Sequence, residues 1–454
     1  MGYLFREHSE VSGGIEMQRV NGTFALIFLA ICWILVVPGQ GWASCTNCST
    51  STAYCTAGTT VAQVNTCLSS LPDGGTINFA AGSYTWSGTI TPVNGKGVSL
   101  IGAGAGSSNV SISGGSIQLQ GSTVNKKYRI SGFTFTGSPG AGWAIWFWPR
   151  AGSTLSDFRV DHNTFSNLGT GNGAILLGCA SPAGGNVYGV IDHNAFTGTN
   201  NFMGAKVLGP GDDSGWRSSP KGTANNLFFE DNTFDFTTAS DLGSGCIDGW
   251  MSSSMVFRHN TTKNCLVTAH GVIHGGGVIS FEVYDNTFTR TAGSGSWTDG
   301  TRLFHHQGSG ELIMFNNQFS VSGAKSDGAI GMTYYRSANC SESGCETRCS
   351  GTQSIDGNWA PQSTYYGYPC FEQPGRMARN ALSPMYLWNN RWVDTGAKIG
   401  ISIEDIWSGP PYVSTHIQAN RDYYEAVSSS SQSSVSSPFN GASGMGFGTL
   451  ANRP

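Results

Sequence analysis

A short motif, Asn-x-Phe, returns along this chain at intervals that only a stacked coil accounts for. Its copies and near copies are Asp161-His162-Asn163-Thr164-Phe165, Asp192-His193-Asn194-Ala195-Phe196, Glu230-Asp231-Asn232-Thr233-Phe234, Arg258-His259-Asn260-Thr261-Thr262, Tyr284-Asp285-Asn286-Thr287-Phe288, Phe315-Asn316-Asn317-Gln318-Phe319 and Trp388-Asn389-Asn390-Arg391-Trp392. Successive Asn residues lie 31, 38, 28, 26, 31 and 73 positions apart. A unit of this size is one supersecondary element that cannot bury its own apolar face. It must stack on neighbours.

The residues ahead of each Asn alternate. Val160, Ile191, Phe229, Phe257, Val283, Met314 and Leu387 lie three positions upstream, and Phe158, Gly189, Leu227, Met255, Phe281, Leu312 and Met385 lie five upstream. Between them stand Arg159, Phe228, Val256, Glu282, Ile313 and Tyr386, a mixture suited to an outer face. A period of two means strand, because successive side chains point to opposite faces. The aromatic two positions after Asn continues the inward set, so the Asn points inward at a bend between two strands. A buried amide needs partners. Coils about 4.8 Å apart supply them by letting Asn bond to Asn from coil to coil. The expected ladder is Asn163, Asn194, Asn232, Asn260, Asn286, Asn317 and Asn390, and it is architectural. Tyr128–Phe135 fits as an earlier coil with Phe133 in the Asn slot.

A further strand follows a Gly/Ser/Thr-rich turn in each coil, as in Trp143–Trp148, Ala174–Leu177 and Ala205–Leu208. Two or three short strands per coil, all running one way, give an all-β fold, a parallel β-helix. The handedness preference of parallel crossovers makes it right-handed. Thr60–Ser70 is expected to form a short helix capping the first coil, with the solenoid over 75–425 and the cap region over 44–74. The Ser-rich run Ser428–Ser437 reads as a linker within a tail, 426–454.

Gly at 64 residues and a charged fraction of 11% suit a solenoid with tight turns. There is no basic excess, which argues against nucleic acid. Phe24–Val37 is apolar, too short to span a bilayer and suited to the core of a signal peptide, with small residues Gly41 and Ala43 ahead of an expected cleavage after residue 43. Met17 is an alternative start. The mature chain is then expected to be secreted, without a transmembrane segment, and monomeric. Of twelve cysteines Cys32 lies in the leader, and the remaining odd number implies disulfides with at least one further thiol. The expected pairings are Cys55–Cys67 across the cap helix, Cys349–Cys370, and Cys340–Cys345 beside it in the Cys-rich insertion 337–376. Cys246 and Cys265 are either a staple or buried thiols.

Thr76–Trp86, the cap helix and the Asn-Thr-Phe coils together resemble secreted right-handed parallel β-helix proteins of the pectate-lyase-like superfamily, over roughly residues 55–425. Gly367–Arg376 and His416–Tyr424 resemble a bacterial subgroup of it. The resemblance implies uronide lyases, pectin hydrolases and esterases, but also adhesins and tailspikes, so fold alone does not deliver function. Polygalacturonase-like enzymes place an Asp-Asp and a Gly-His-Gly on successive coils. Here Asp212-Asp213 and His270-Gly271 stand 57 residues apart, about two coils. The Arg-x-Pro-x-x-Arg of calcium pectate lyases is absent, and Arg217–Lys221 is not that motif.

Titratable and aromatic residues concentrate on the post-turn strands. The expected catalytic set is Lys206, Asp248, His270, His305 and His306, with Trp146, Trp148, Trp250, Tyr335 and Arg336 binding sugar. β-Elimination on a uronide needs its carboxylate neutralised, a base for the C5 proton and a donor to the leaving oxygen. Lys206 or a calcium ion on Asp212, Asp213 or Asp248 serves the first, His270 or Lys206 the second, and His305, His306 or Tyr335 the third. Hydrolysis would need two carboxylates, for which Asp248 and Asp299 are the plausible pair. The groove is richer in bases than acids, which favours a polysaccharide lyase over a pectinase-type hydrolase. A glycan-binding or structural surface protein is the competing class. The Asp161-His162 and Asp192-His193 pairs look like dyads but belong to a polar column just before the Asn slot.

Overall fold

A computed structural model describes residues 44–93, 95–120, 126–140, 142–149, 154–169, 173–178, 185–199, 202–209, 220–237, 245–269, 278–291, 302–307, 310–322, 327–333, 349–351, 367–370, 374–375, 382–403 and 417–426. Their strands form three long sheets, one 13-stranded and two 10-stranded, plus a two-stranded ribbon. Each coil adds one strand to each sheet in turn. In the coil of Asn163, Thr154–Asp161 enters the first sheet, Thr164–Leu168 the second and Gly173–Leu177 the third. Coil-to-coil pairings are parallel, as Phe158↔Gly189, Phe165↔Phe196 and Ile175↔Ala205 illustrate. The chain is a parallel β-helix.

The core is a set of columns running down the coil axis. Phe135, Phe165, Phe196 and Phe234 stack ring on ring at 5.2, 5.0 and 4.5 Å. Thr262 occupies the next place in that column. Phe257 of the first sheet fills the resulting gap, its ring 6.1 Å from Phe234 and 6.3 Å from Phe288. The column then resumes with Phe288 on Phe319 at 4.8 Å.

Beside the aromatic columns runs the Asn ladder. The backbone N–H of Asn163 donates to Asn194 Oδ1 at 3.0 Å and its side-chain Nδ2 to the same oxygen at 3.1 Å. The pattern repeats through Asn232, Asn260, Asn286, Asn317 and Asn390. At the head of the ladder the Phe133 N–H donates to Asn163 Oδ1 at 3.0 Å, which puts Phe133 in the Asn slot. The residue before each Asn has positive φ, from His162 at 55° and Asp231 at 57° to Asn389 at 53°. Outside Gly, such a bend is tolerated best by Asn, Asp and His. That geometry explains why the column preceding the ladder reads His, His, Asp, His, Asp, Asn, Asn.

Val61–Ser70 forms the capping helix. Thr60 and Gln63 close a capping box in which the Thr60 N–H donates to Gln63 Oε1 at 2.8 Å. Val64, Cys67 and Leu68 are buried on its inner side. Asn65 ties the helix to the third sheet, donating to Thr89 O at 2.8 Å and accepting from the Thr91 N–H at 3.0 Å. The expected Cys55–Cys67 bridge does not form. Cys45–Thr46 pairs antiparallel with Thr52–Cys55, which sets Cys45 opposite Cys55, and those two are bonded while Cys67 bonds Cys48. Cys246–Cys265 is a disulfide staple between neighbouring coils. Cys349 and Cys370 face each other across the two-stranded ribbon, and Cys340 and Cys345 lie outside the described residues. Among the described residues no helix is long and apolar enough to cross a membrane.

Candidate functional site on the third sheet

Register fixes which side chains share the outer face of the third sheet. One column runs Gln118, Trp146, Leu176, Lys206, Asp248, Thr268, His305. A second, two residues further along the strands, holds Trp148 and then, on later coils, Leu208, Trp250 and Gln307. From Trp146 to His305 is five strand steps, about 24 Å at the usual spacing.

Lys206, Asp248 and Trp250 meet in the middle of this strip. Lys206 Nζ lies 3.9 Å from Asp248 Oδ2 and 3.9 Å from the centroid of the Trp250 ring, so the cation is held by a carboxylate and an aromatic face together. The Trp250 indole N–H donates to the same carboxylate. The Lys206 side chain is 26% exposed and that of Asp248 6%. The strand carrying Asp248 and Trp250 can sit this close to the core because Gly249 faces inward between them. A Cβ there would stand 2.2 Å from Met255 Cε and 2.8 Å from Val278.

Trp146 and Trp148 stack on each other at 4.6 Å with planes 12° apart, both half-buried, and the Trp146 indole N–H donates to Gly178 O at 3.2 Å. Phe147 between them is buried and stacks on Phe158 at 4.3 Å. His305 and His306 cannot both face the groove, since they are neighbours in one strand. His305 lies in the outer column, while His306 falls in the inward column of Val207, Gly249, Ala269 and Met332 and is fully buried. His306 is therefore a core residue. His305 is itself 1% exposed, and its Nδ1 lies 2.8 Å from Gln307 Nε2. With the amide donating, the neutral imidazole carries its hydrogen on Nε2. Asp212, Asp213, His270, Asp299, Tyr335 and Arg336 lie outside the described residues, and among those described no three or more His, Cys, Asp or Glu side chains are grouped as a metal centre.

No family model and no curated protein matches the sequence. Among solved structures, alginate lyase from Paenibacillus sp. str. FPU-7 aligns at 15% identity with a TM-score of 0.32, over 60% of this chain and 98% of that one. The PL6 family polysaccharide lyase Pedsa3628 from Pseudopedobacter saltans aligns at 13% identity and 0.38, over 80% of each chain. The catalytic domain of GH87 α-1,3-glucanase, solved in complex with nigerose, aligns at 12% identity and 0.29, over 80% of this chain and 66% of that one. At such identities the likeness concerns fold alone.

The outer face of the first sheet holds a charged array that the alternation of residue types did not reveal. Arg129 Nε and Nη2 donate to Asp161 at 2.8 and 2.6 Å, and Arg159 does the same to Asp192. Further along, Arg258 donates to Glu230 at 2.6 Å and to the Tyr284 hydroxyl at 2.9 Å. Residues 220–226 bring a second chain segment to this face. The Gly222 N–H donates to Glu282 Oε1 at 2.8 Å and Lys221 Nζ lies 3.2 Å from Glu311. All of Glu230, Arg258, Glu282 and Glu311 are buried. A signal was present in the sequence: Asp161, Asp192, Glu230, Arg258 and Tyr284 occupy the same place two residues before the Asn.

Burial raises the Glu282 carboxyl above its ordinary value, against the lowering effect of Gly222, Lys221 and Arg258. A raised folded-state value means that its contribution to stability is complete below the unfolded value and is lost as pH rises through the folded one. Glu282→Gln keeps an acceptor for the Gly222 N–H and removes the buried charge. The variant should melt higher than the wild type at neutral pH and equal it in acid. A lower melting temperature at neutral pH would mean that Lys221 and Arg258 outweigh the burial cost.

Proposed function

We propose that the protein is an exported carbohydrate-active β-helix that binds an acidic polysaccharide along the outer face of the third sheet, and that it acts as a uronide lyase. The observation that carries the reading is the Lys206–Asp248–Trp250 cluster, with its partly exposed ammonium, on the same face as the Trp146–Trp148 pair. Aromatic rings offer apolar faces to sugar rings, and a convergent cation recognises the uronate carboxylate. In β-elimination Lys206 neutralises that carboxylate, which acidifies the C5 proton, or takes the proton itself. His305 is buried and stands three strand steps from Lys206, about 14 Å, so the leaving oxygen of the same sugar takes its proton from solvent or from Tyr335, the other candidate donor. His270 remains a candidate base, Tyr335 and Arg336 candidate sugar contacts, and Asp212 and Asp213 candidate calcium ligands. The three disulfides among the described residues suit an oxidising compartment, in keeping with export and the leader expected over 1–43.

A non-catalytic glycan-binding role is favoured by one observation: Asp248 and His305 are 4% and 1% exposed, so a bound sugar meets Lys206 and the tryptophans first. Pectate, alginate and glycosaminoglycans, each with and without calcium, separate the two. A lyase generates unsaturated uronide products, seen as rising ultraviolet absorbance. A flat response across the panel removes the lyase. If binding then persists and Trp146→Ala or Trp250→Ala abolishes it, the binding protein takes its place.

A further inference from the structure

The backbone just past Trp250 is held in a conformation that its residues do not favour. Every described residue with positive φ outside Gly is Asn, Asp or His, except Met251 at 54° and Ser252 at 59°. Asn, Asp and His bond locally and tolerate this region, whereas the Cβ of a long apolar residue only crowds the next carbonyl. The turn is tight. Three residues, 251–253, join Ile247–Trp250 of the third sheet to Ser254–Arg258 of the first. The Trp250 carbonyl accepts from the Ser253 N–H at 3.1 Å and from the Gly209 N–H of the preceding coil at 3.0 Å. Only glycine fits at 209, since a Cβ there would stand 2.1 Å from Met251 O.

The need for a short turn does not account for Met251. Two coils on, the same place between the same two sheets reads Gly308-Ser309-Gly310, with Gly310 at φ 74°. Glycine meets that backbone demand without strain. Residues kept in an unfavourable backbone collect where a ligand uses them. Of the two, Ser252 is buried and Met251 half-exposed. Met251 directly follows Trp250, whose ring carries the Lys206 ammonium.

We propose that Met251 is a specificity-determining contact of the glycan groove, taking the methyl of an acetyl group on the sugar beside Trp250. This rests on the groove described above. A thioether side chain donates no hydrogen bond and accepts one weakly, so sugar hydroxyls gain little from it. An acetyl methyl instead buries apolar surface against a flexible, polarisable partner. The turn also adds no wall at this coil, whereas 209–226 and 270–279 make the same connection on the coils before and after. A group projecting sideways from the glycan therefore finds room beside Trp250.

O-acetyl and N-acetyl groups present the same methyl, and two arms of one calorimetric experiment on the purified full chain separate them. One compares O-acetylated alginate with its alkali-deacetylated form. The other compares an N-acetylated glycosaminoglycan with the same chain carrying N-formyl groups, which lack the methyl. The wild type should bind the acetylated member of one pair about fourfold more tightly, the effect of burying one methyl-sized group. Met251→Asn suits the left-handed backbone, so it should melt higher than the wild type. It should bind the unacetylated chain as the wild type does and lose the preference. Met251→Leu keeps the apolar contact and should keep the preference. Equal affinity for both members of each pair, a preference that survives in Met251→Asn, or one lost equally in Met251→Leu would overturn the assignment. Failure to bind any glycan removes the groove itself, an outcome distinct from binding without preference.

Discussion

Asn232→Ala should lower the unfolding free energy by about 3–5 kcal/mol, the scale expected when two or more buried polar groups lose their partners at 1–3 kcal/mol each. Asn232 is fully buried. Its Oδ1 accepts from both the backbone and the side-chain nitrogen of Asn194, at 3.0 and 3.1 Å. Its Nδ2 donates to Ile191 O at 2.8 Å, Glu230 O at 3.1 Å and Asn260 Oδ1 at 3.1 Å. Alanine removes all of these, orphans the Asn194 backbone N–H and deprives the Ile191 carbonyl of its side-chain donor inside the stack, while Asn194 Nδ2 keeps Val160 O and Asp192 O. Asn232→Asp keeps the acceptor and loses the donors, so it should fall between. In a solenoid each coil depends on its immediate neighbours, so a break in the middle also uncouples the two halves. Urea denaturation would show this as a lower midpoint with a shallower slope or a second transition. A loss under about 1 kcal/mol, less than one orphaned group costs, would mean that the ladder only decorates a stack held by its aromatic columns.

What the chain discloses in advance follows from which physics is periodic. The Asn column was legible because a one-residue slip would turn every inward side chain outward, so the register around Asn163 to Asn390 admits no alternative. Phe133 could be placed in the same slot for that reason. The cap disulfides were not legible. Cys55 sits nearer the helix in sequence than Cys45 does, yet the turn that folds strand Cys45–Thr46 antiparallel along Thr52–Cys55 puts Cys45 against it and leaves Cys67 for Cys48. Nothing in local spacing reports that turn.

The third sheet was legible in content and not in register. Ala205 follows Asn194 by eleven residues, whereas its neighbour Ile247 follows Asn232 by fifteen, because the turns between them differ in length. Counting from the ladder therefore cannot say whether His305 or His306 faces out, and strand pairing decides it. The salt-bridged column on the first sheet was missed for a different reason. Arg129 and Arg159 reach the carboxylates of the next coil, a diagonal contact between columns that alternation along one strand does not display.

On the proposed lyase reading, Lys206→Met should reduce kcat/KM on an acidic polysaccharide by about 100-fold or more, the usual contribution of a positioned proton-transfer or charge-stabilising group. Methionine keeps an unbranched stem over Trp250 and removes only the charge. The division of the loss identifies the role. A rise in KM alone would mean that Lys206 binds the carboxylate equally in the ground and transition states, whereas a fall in kcat would mean that it acts as the enolate-like charge develops or as the base. The variant also deprives buried Asp248 of its counter-ion, so lost activity could reflect a disturbed strand. Lys206→Met combined with Asp248→Asn answers this. Asparagine retains an acceptor for the Trp250 indole N–H without the charge, so the double variant should regain stability. If it regains activity as well, the lysine serves only to neutralise Asp248, and the groove's chemistry lies elsewhere on the sheet. If it stays inactive while as stable as the wild type, the ammonium is what the substrate needs.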